Sequence, residues 1–264
     1  MPLVANGFEA CVKIEGKEVQ QFQAEATDEP SGRTCWIASE LNKGFSIHWK
    51  NTDVFCQTAA RIWVDGIECA GEIIRGPNFD ASVSGRRTSA TTTAPFVFSQ
   101  LDLTDDDAFL DSATHKDVGL IRMEIWTINQ IGTKAYTNQA ASKESKIHER
   151  SKKGVAHQIK FGAEVVEAPR AAAIITYLER TPVVTFTFKY RSIDLLRANG
   201  IAPNQNSGTG KRKAADGPSG SLKQETKGQK RVKKEAGSFV PGEIIDLTRS
   251  KTPVPSSSEI IDLT

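Results

Sequence analysis

The chain has 264 residues, 38% of them hydrophobic, with 34 basic and 32 acidic side chains and a formal net charge of +2. That length carries one large domain or two small ones. The longest apolar stretch, near residues 171–175, is too short to cross a bilayer, and the opening Met1-Pro2-Leu3-Val4 lacks the basic-then-apolar pattern of a signal peptide.

The four cysteines, Cys11, Cys35, Cys56 and Cys69, show no C-x-x-C pair, which argues against a zinc site and for free thiols in a reducing compartment. Charge is unevenly spread: residues 1–200 hold 23 basic and 25 acidic side chains, whereas residues 201–264 hold 11 and 7. The folded part is therefore slightly acidic, and the tail carries a basic block.

In chain order, segments 8–14, 19–24, 34–37, 45–49, 59–64, 68–74, 96–103, 119–128, 155–161 and 183–190 alternate or are rich in β-branched and aromatic residues, and read as strands. Turn signals separate them: Glu15-Gly16-Lys17, Pro30-Ser31-Gly32, Asp65-Gly66, Gly76-Pro77-Asn78 and Asn199-Gly200. Asp65-Gly66 is the best hairpin signal, because a two-residue type I′ turn needs positive φ at both positions. Ser192 followed by Ile193-Asp194-Leu195-Leu196-Arg197-Ala198 and Asn-Gly predicts one short, N-capped helix. Residues 139–153 are charged and fit a helix or a surface loop.

The fold class expected is mainly β: an antiparallel β-sandwich-like domain with little helix over residues 1–200, then a disordered tail over 201–264. The tail is rich in Gly, Ser, Pro, Lys and Gln, with Phe239 its sole aromatic residue. Such a composition cannot offset chain entropy by burial.

Catalytic patterns are poor. His48, His115, His148 and His157 are scattered, and there is no G-x-S-x-G, P-loop, dinucleotide glycine signature or His-Glu-x-x-His. Leu103-Thr104-Asp105-Asp106-Asp107 lacks the later ligands of a calcium loop and reads as a turn cap. His148-Glu149-Arg150-Ser151-Lys152-Lys153 reads as a solvated loop. No catalytic residue, metal ligand or cofactor is implied.

The tail speaks more clearly. Glu243-Ile244-Ile245-Asp246-Leu247-Thr248 recurs letter for letter as Glu259-Ile260-Ile261-Asp262-Leu263-Thr264. The repeated core resembles the SUMO-interacting motif, a short apolar run beside acidic residues that adds as a strand to an exposed sheet edge. Paired isoleucines favour an extended backbone, Ile and Leu fill a shallow groove, and the acids face a basic rim. Ten residues separate the copies, a linker that spans roughly 35 Å when extended and suits neighbouring units of a SUMO chain.

Two basic clusters, Lys211-Arg212-Lys213 and Lys230-Arg231-Val232-Lys233-Lys234, resemble a two-part nuclear localisation signal, with an import receptor as the implied partner. A weak, non-specific contact with nucleic acid is the alternative for these cations. Lys223 in Leu-Lys-Gln-Glu and Lys233 in Val-Lys-Lys-Glu match the SUMO-acceptor pattern.

The folded part also carries Gly7-Phe8-Glu9-Ala10, Cys35-Trp36-Ile37, Phe45-Ser46-Ile47-His48-Trp49, Arg86-Arg87-Thr88-Ser89, Pro95-Phe96-Val97-Phe98-Ser99 and Phe188-Lys189-Tyr190-Arg191-Ser192-Ile193-Asp194. Across about residues 5–200 it resembles an uncharacterised domain family of mushroom-forming fungi, a domain of unknown function. That resemblance implies no reaction, ligand or catalytic residue. The expected role is a nuclear, non-enzymatic adaptor whose tail binds SUMO. The alternatives are a ligand-binding or enzymatic β-sandwich whose tail sets location, and a chromatin-associated protein.

Overall fold

The computed structural model describes residues 1–29, 31–69, 71–106, 117–137, 147–149 and 154–204. They form nineteen strands, β1 to β19 in chain order, and one helix. The domain is mainly β.

One sheet runs β1 (Leu3–Ala5), β2 (Phe8–Ile14), β6 (Phe45–Asn51), β10 (Asp80–Val83), with β3 (Lys17–Glu18) on the edge of β2; every pairing is antiparallel. Two hairpins build it. Asn6-Gly7 and Glu15-Gly16 hold positive φ at both central positions (48° and 79°, 47° and 79°), the backbone of a type I′ turn. A Cβ on Gly7 would also lie 1.8 Å from Asp53 Oδ1, so only glycine fits there.

The large sheet runs β4 (Gln21–Ala26), β5 (Gly32–Ser39), β19 (Val184–Ser192), β14 (Leu120–Lys134), β7 (Thr58–Val64), β8 (Ile67–Cys69). β9 (Ile73–Ile74) extends along β7, and β18 (Ala172–Tyr177) pairs with the far half of β14. The sheet is not wholly antiparallel as expected, because β5 and β19 run parallel. They are brought together from distant parts of the chain, so no hairpin dictates their direction. A third sheet holds β11 (Gly85–Arg87), β12 (Thr92–Gln100), β16 (His157–Phe161) and β17 (Val165–Val166). β13 (Leu103–Thr104) and β15 (Ile147–His148) form a short parallel pair.

The core follows from alternation. In β6, Phe45, Ile47 and Trp49 are buried while Ser46, His48 and Lys50 face outward. In β14, Ile121, Met123 and Ile125 point in; in β19, Phe186, Phe188 and Tyr190 do the same. One apolar cluster joins the inner faces of all three sheets. Phe45 stacks on Phe98 at 4.4 Å between centroids and Phe98 tilts against Tyr190 at 5.1 Å, an aromatic seam from β6 through β12 to β19.

Segment 68–74, expected as one strand, is split into β8 and β9. Gly71 lies so close to β7 that a Cβ there would sit 1.6 Å from the Ala60 carbonyl oxygen. Helix α1 (Ile193–Ala198) forms as its caps predict: Ser192 Oγ accepts from Leu195 N–H, and Gly200 at φ 68° ends it. The acidic cluster begins as a turn cap, with Asp106 N–H donating to Thr104 Oγ1 at 3.3 Å. All four cysteines are free thiols.

Candidate functional site

The Asp65-Gly66 turn does more than join β7 to β8. Its φ values of 49° and 78° are those of the expected hairpin, and they turn the Asp65 side chain inward. The carboxylate accepts from Gly119 N–H at 2.9 Å, Ile159 N–H at 2.7 Å and the Tyr190 hydroxyl at 2.7 Å. One side chain thus ties the β7–β8 turn to the start of β14, to the middle of β16 and to β19. Burial pushes the Asp65 carboxyl up to about 6, with the Tyr190 and backbone donors pulling the other way. The Tyr190 phenol is raised well above its ordinary value by burial and by the Asp65 charge. The site is a structural clasp, since Asp65 exposes only 6% of its surface.

Beyond β8 opens the larger cleft, about 1240 Å³, walled by β7 to β11 and β18. Five arginines line it: Arg61, Arg75, Arg86, Arg87 and Arg170. Arg61, Arg170 and Arg87 are paired with carboxylates of the same cleft. Arg61 bonds Glu68 at 2.8 Å through Nη2 and 3.0 Å through Nε, Arg170 pairs with Glu72, and Arg87 meets Glu167 at 3.1 Å. Arg87 is buried and also donates to the carbonyls of Ser89, Ala90 and Ala168. It clamps the segment after β17 onto the β11–β12 turn. Arg86 lies over the Phe161 ring at 5.8 Å. Cys69 also lines the cleft, but burial pushes its thiol up to about 12, so it carries no thiolate at neutral pH. The cleft wall is thus built largely of paired charges.

The histidines are not gathered into one constellation. His48 is hydrogen-bonded to Ser46 Oγ at 2.8 Å on the outer face of β6, and its pKa is lowered by burial. His148 is buried in β15. His157 Nδ1 and Ser39 Oγ are 2.7 Å apart, a spacing that suits a nucleophile and its base. Ser39 and His157 expose only 4% and 8% of their surface and line neither this cleft nor the one on the outer sheet face. Burial also lowers the His157 pKa, which keeps the imidazole neutral at pH 7. Among the described residues, no group of three or more His, Cys, Asp or Glu is placed to hold a metal ion.

His115, the two hexapeptides with Ile244, Ile245, Asp246, Leu247, Ile260, Ile261, Asp262 and Leu263, both basic clusters, and Lys223 and Lys233 lie outside the described residues. So does the expected disordered tail from residue 205 onward. Sequence reasoning found the Asp65 turn but not the clasp, whose partners lie 54, 94 and 125 residues away. A family model described as a domain of unknown function (DUF7918) matches residues 7–205. No curated protein and no solved structure matches the chain.

Proposed function

The chain belongs to the DUF7918 family, and from that premise we propose that it is a nuclear, non-enzymatic adaptor whose C-terminal segment binds SUMO while its β-domain recognises a second partner. One observation carries this reading: the identical hexapeptides at 243–248 and 259–264, each an apolar β-forming core between acids. An acidic, β-branched strand suits addition to a sheet edge with a basic rim. Duplication over a ten-residue linker suits a ligand with repeating units. The basic clusters at 211–213 and 230–234 support nuclear import. Within the domain, the Ser39–His157 pair is shut away from both clefts and the arginine-lined cleft is wide, features that favour docking over catalysis.

Calorimetry of the full chain with single and tandem SUMO tests the reading. Tandem SUMO should bind more tightly, on the order of 10²-fold through avidity. Changing Ile244, Ile245, Ile260 and Ile261 to Ala should abolish the heat while the domain stays folded. Equal heats from the wild type and this variant would refute the reading.

The ligand-binding alternative draws on the 1240 Å³ cleft, which is larger than most small-molecule sites. Its paired arginines suit an extended polar partner better than an enclosed metabolite.

A further inference from the structure

The outer face of the large sheet carries another cleft, of about 640 Å³. Its floor follows from strand register: Thr34, Thr187, Arg122 and Trp63 form one row across β5, β19, β14 and β7. The β4–β5 turn, with Asp28 and Glu29, lines one side. Asp117, packed against the Gly66 turn, lines another.

Two independent observations point to a ligand. First, Thr34 is 6% exposed and, among the described residues, its hydroxyl has no hydrogen-bond partner; the Thr27 hydroxyl, also in the lining, has none there either. Buried hydroxyls are nearly always satisfied, so one that lines a cleft and lacks a partner among the described residues is a group that an entering ligand can satisfy. Second, the charges do not balance. Asp28, Glu29, Asp117 and Glu124 face two cations, Arg122 and Lys189.

Arg122 is already engaged, 2.8 Å from Glu124 and 3.6 Å from Glu29, with its guanidinium 6.0 Å from the Trp63 centroid. Glu124 is further held by the Trp126 indole N–H at 3.0 Å. Lys189 lies over the Trp36 ring at 5.4 Å. The side chains of Asp28 and Asp117 make no ion pair among the described residues. The cleft is thus left with an uncompensated negative rim, an indole wall and a buried hydroxyl.

We propose that this cleft binds a cationic peptide segment of a partner protein. A lysine or arginine would enter with its charge between Asp28 and Asp117, its alkyl stem along Trp63, and a donor toward the Thr34 hydroxyl. This assigns a chemical class to the partner of the β-domain and rests on the adaptor reading for its role. SUMO binding is measured separately, so either can fail alone.

The test uses the full chain labelled with ¹⁵N at tryptophan, whose four indoles give four N–H signals, assigned by Trp→Phe variants and by through-bond spectra. The probes are acetylated, amidated trilysine and triarginine, with triglutamate and a neutral trisaccharide as controls. The cationic peptides should move the Trp63 signal, leave the core Trp49 signal in place, and bind more weakly as salt rises. The Asp28→Asn/Asp117→Asn variant should bind them at least about tenfold more weakly, with the Trp49 signal showing that the fold is kept. The proposal is overturned by a still Trp63 signal with both cationic peptides, by equal affinity in the double variant, or by a response to triglutamate or trisaccharide instead.

Discussion

The β-domain and the segment after residue 204 use their chemistry in opposite ways. In the domain, polar side chains are turned inward onto partners of the same domain. Asp65 is spent on three donors, Arg87 on three carbonyls and a carboxylate, and Ser39 on His157. In residues 205–264 the large apolar side chains are concentrated in two identical words and the cations in two blocks. Under the proposed function, the first region supplies stability and the second supplies SUMO recognition. Variants in one should therefore leave the other's property untouched.

The largest expected break is Asp65→Ala. It strands two backbone N–H groups and a phenol in the interior, at about 1–3 kcal/mol for each unsatisfied group, and urea unfolding should register a loss of about 4 kcal/mol or more. SUMO affinity at a temperature where the variant remains folded should not move.

Asp65 also predicts a pH dependence. Its carboxyl is raised from 3.8 to about 6 in the folded domain. Between those values the folded state holds a proton that the unfolded chain has released. The contribution is therefore fully present below pH 3.8 and is lost as pH rises through 6, on the order of 3 kcal/mol. The unfolding free energy of the wild type minus that of Asp65→Asn, followed from pH 4 to 7, should show that fall. A flat difference would mean that the three donors hold the carboxylate ionised throughout.

Changing the four repeat isoleucines to Ala should abolish binding to tandem SUMO, whereas changing those of one repeat alone should remove the roughly 10²-fold avidity gain; neither should move the urea midpoint. Within the arginine-lined cleft, Arg87→Ala should cost about 2–3 kcal/mol, because it removes a buried guanidinium that bonds three carbonyls and the Glu167 carboxylate at once. Arg61→Ala, which breaks an exposed pair with Glu68, should stay within about 0.5 kcal/mol. Equal losses at the two arginines would undo the distinction between clamp and surface pair.

Much of the domain was legible in sequence because alternation marks one face for burial. Segments 8–14 and 59–64 became β2 and β7 nearly residue for residue, and Ser192 with Asn199-Gly200 bounded the helix. What escaped notice depends on distant partners. β18 opens on two alanines and lies against a strand some forty residues earlier. β1 has three residues and exists through the Asn6-Gly7 turn. Trp36, Trp63 and Trp126 occupy the outer register, where alternation alone predicts polar side chains; Trp49 alone joins the core. The outer-face cleft arises from four strands set side by side, and no local word announces it. The SUMO reading is legible for the opposite reason, because its whole signal lies in six consecutive residues.

The most direct measurement is a titration of ¹⁵N-labelled SUMO with the unlabelled full chain, followed by amide shifts. The account predicts micromolar binding, with shifts confined to the SUMO edge strand and its basic rim, and their loss when Ile244, Ile245, Ile260 and Ile261 are changed to Ala. A spectrum unchanged at several hundred micromolar chain, or shifts that survive that substitution, would contradict it.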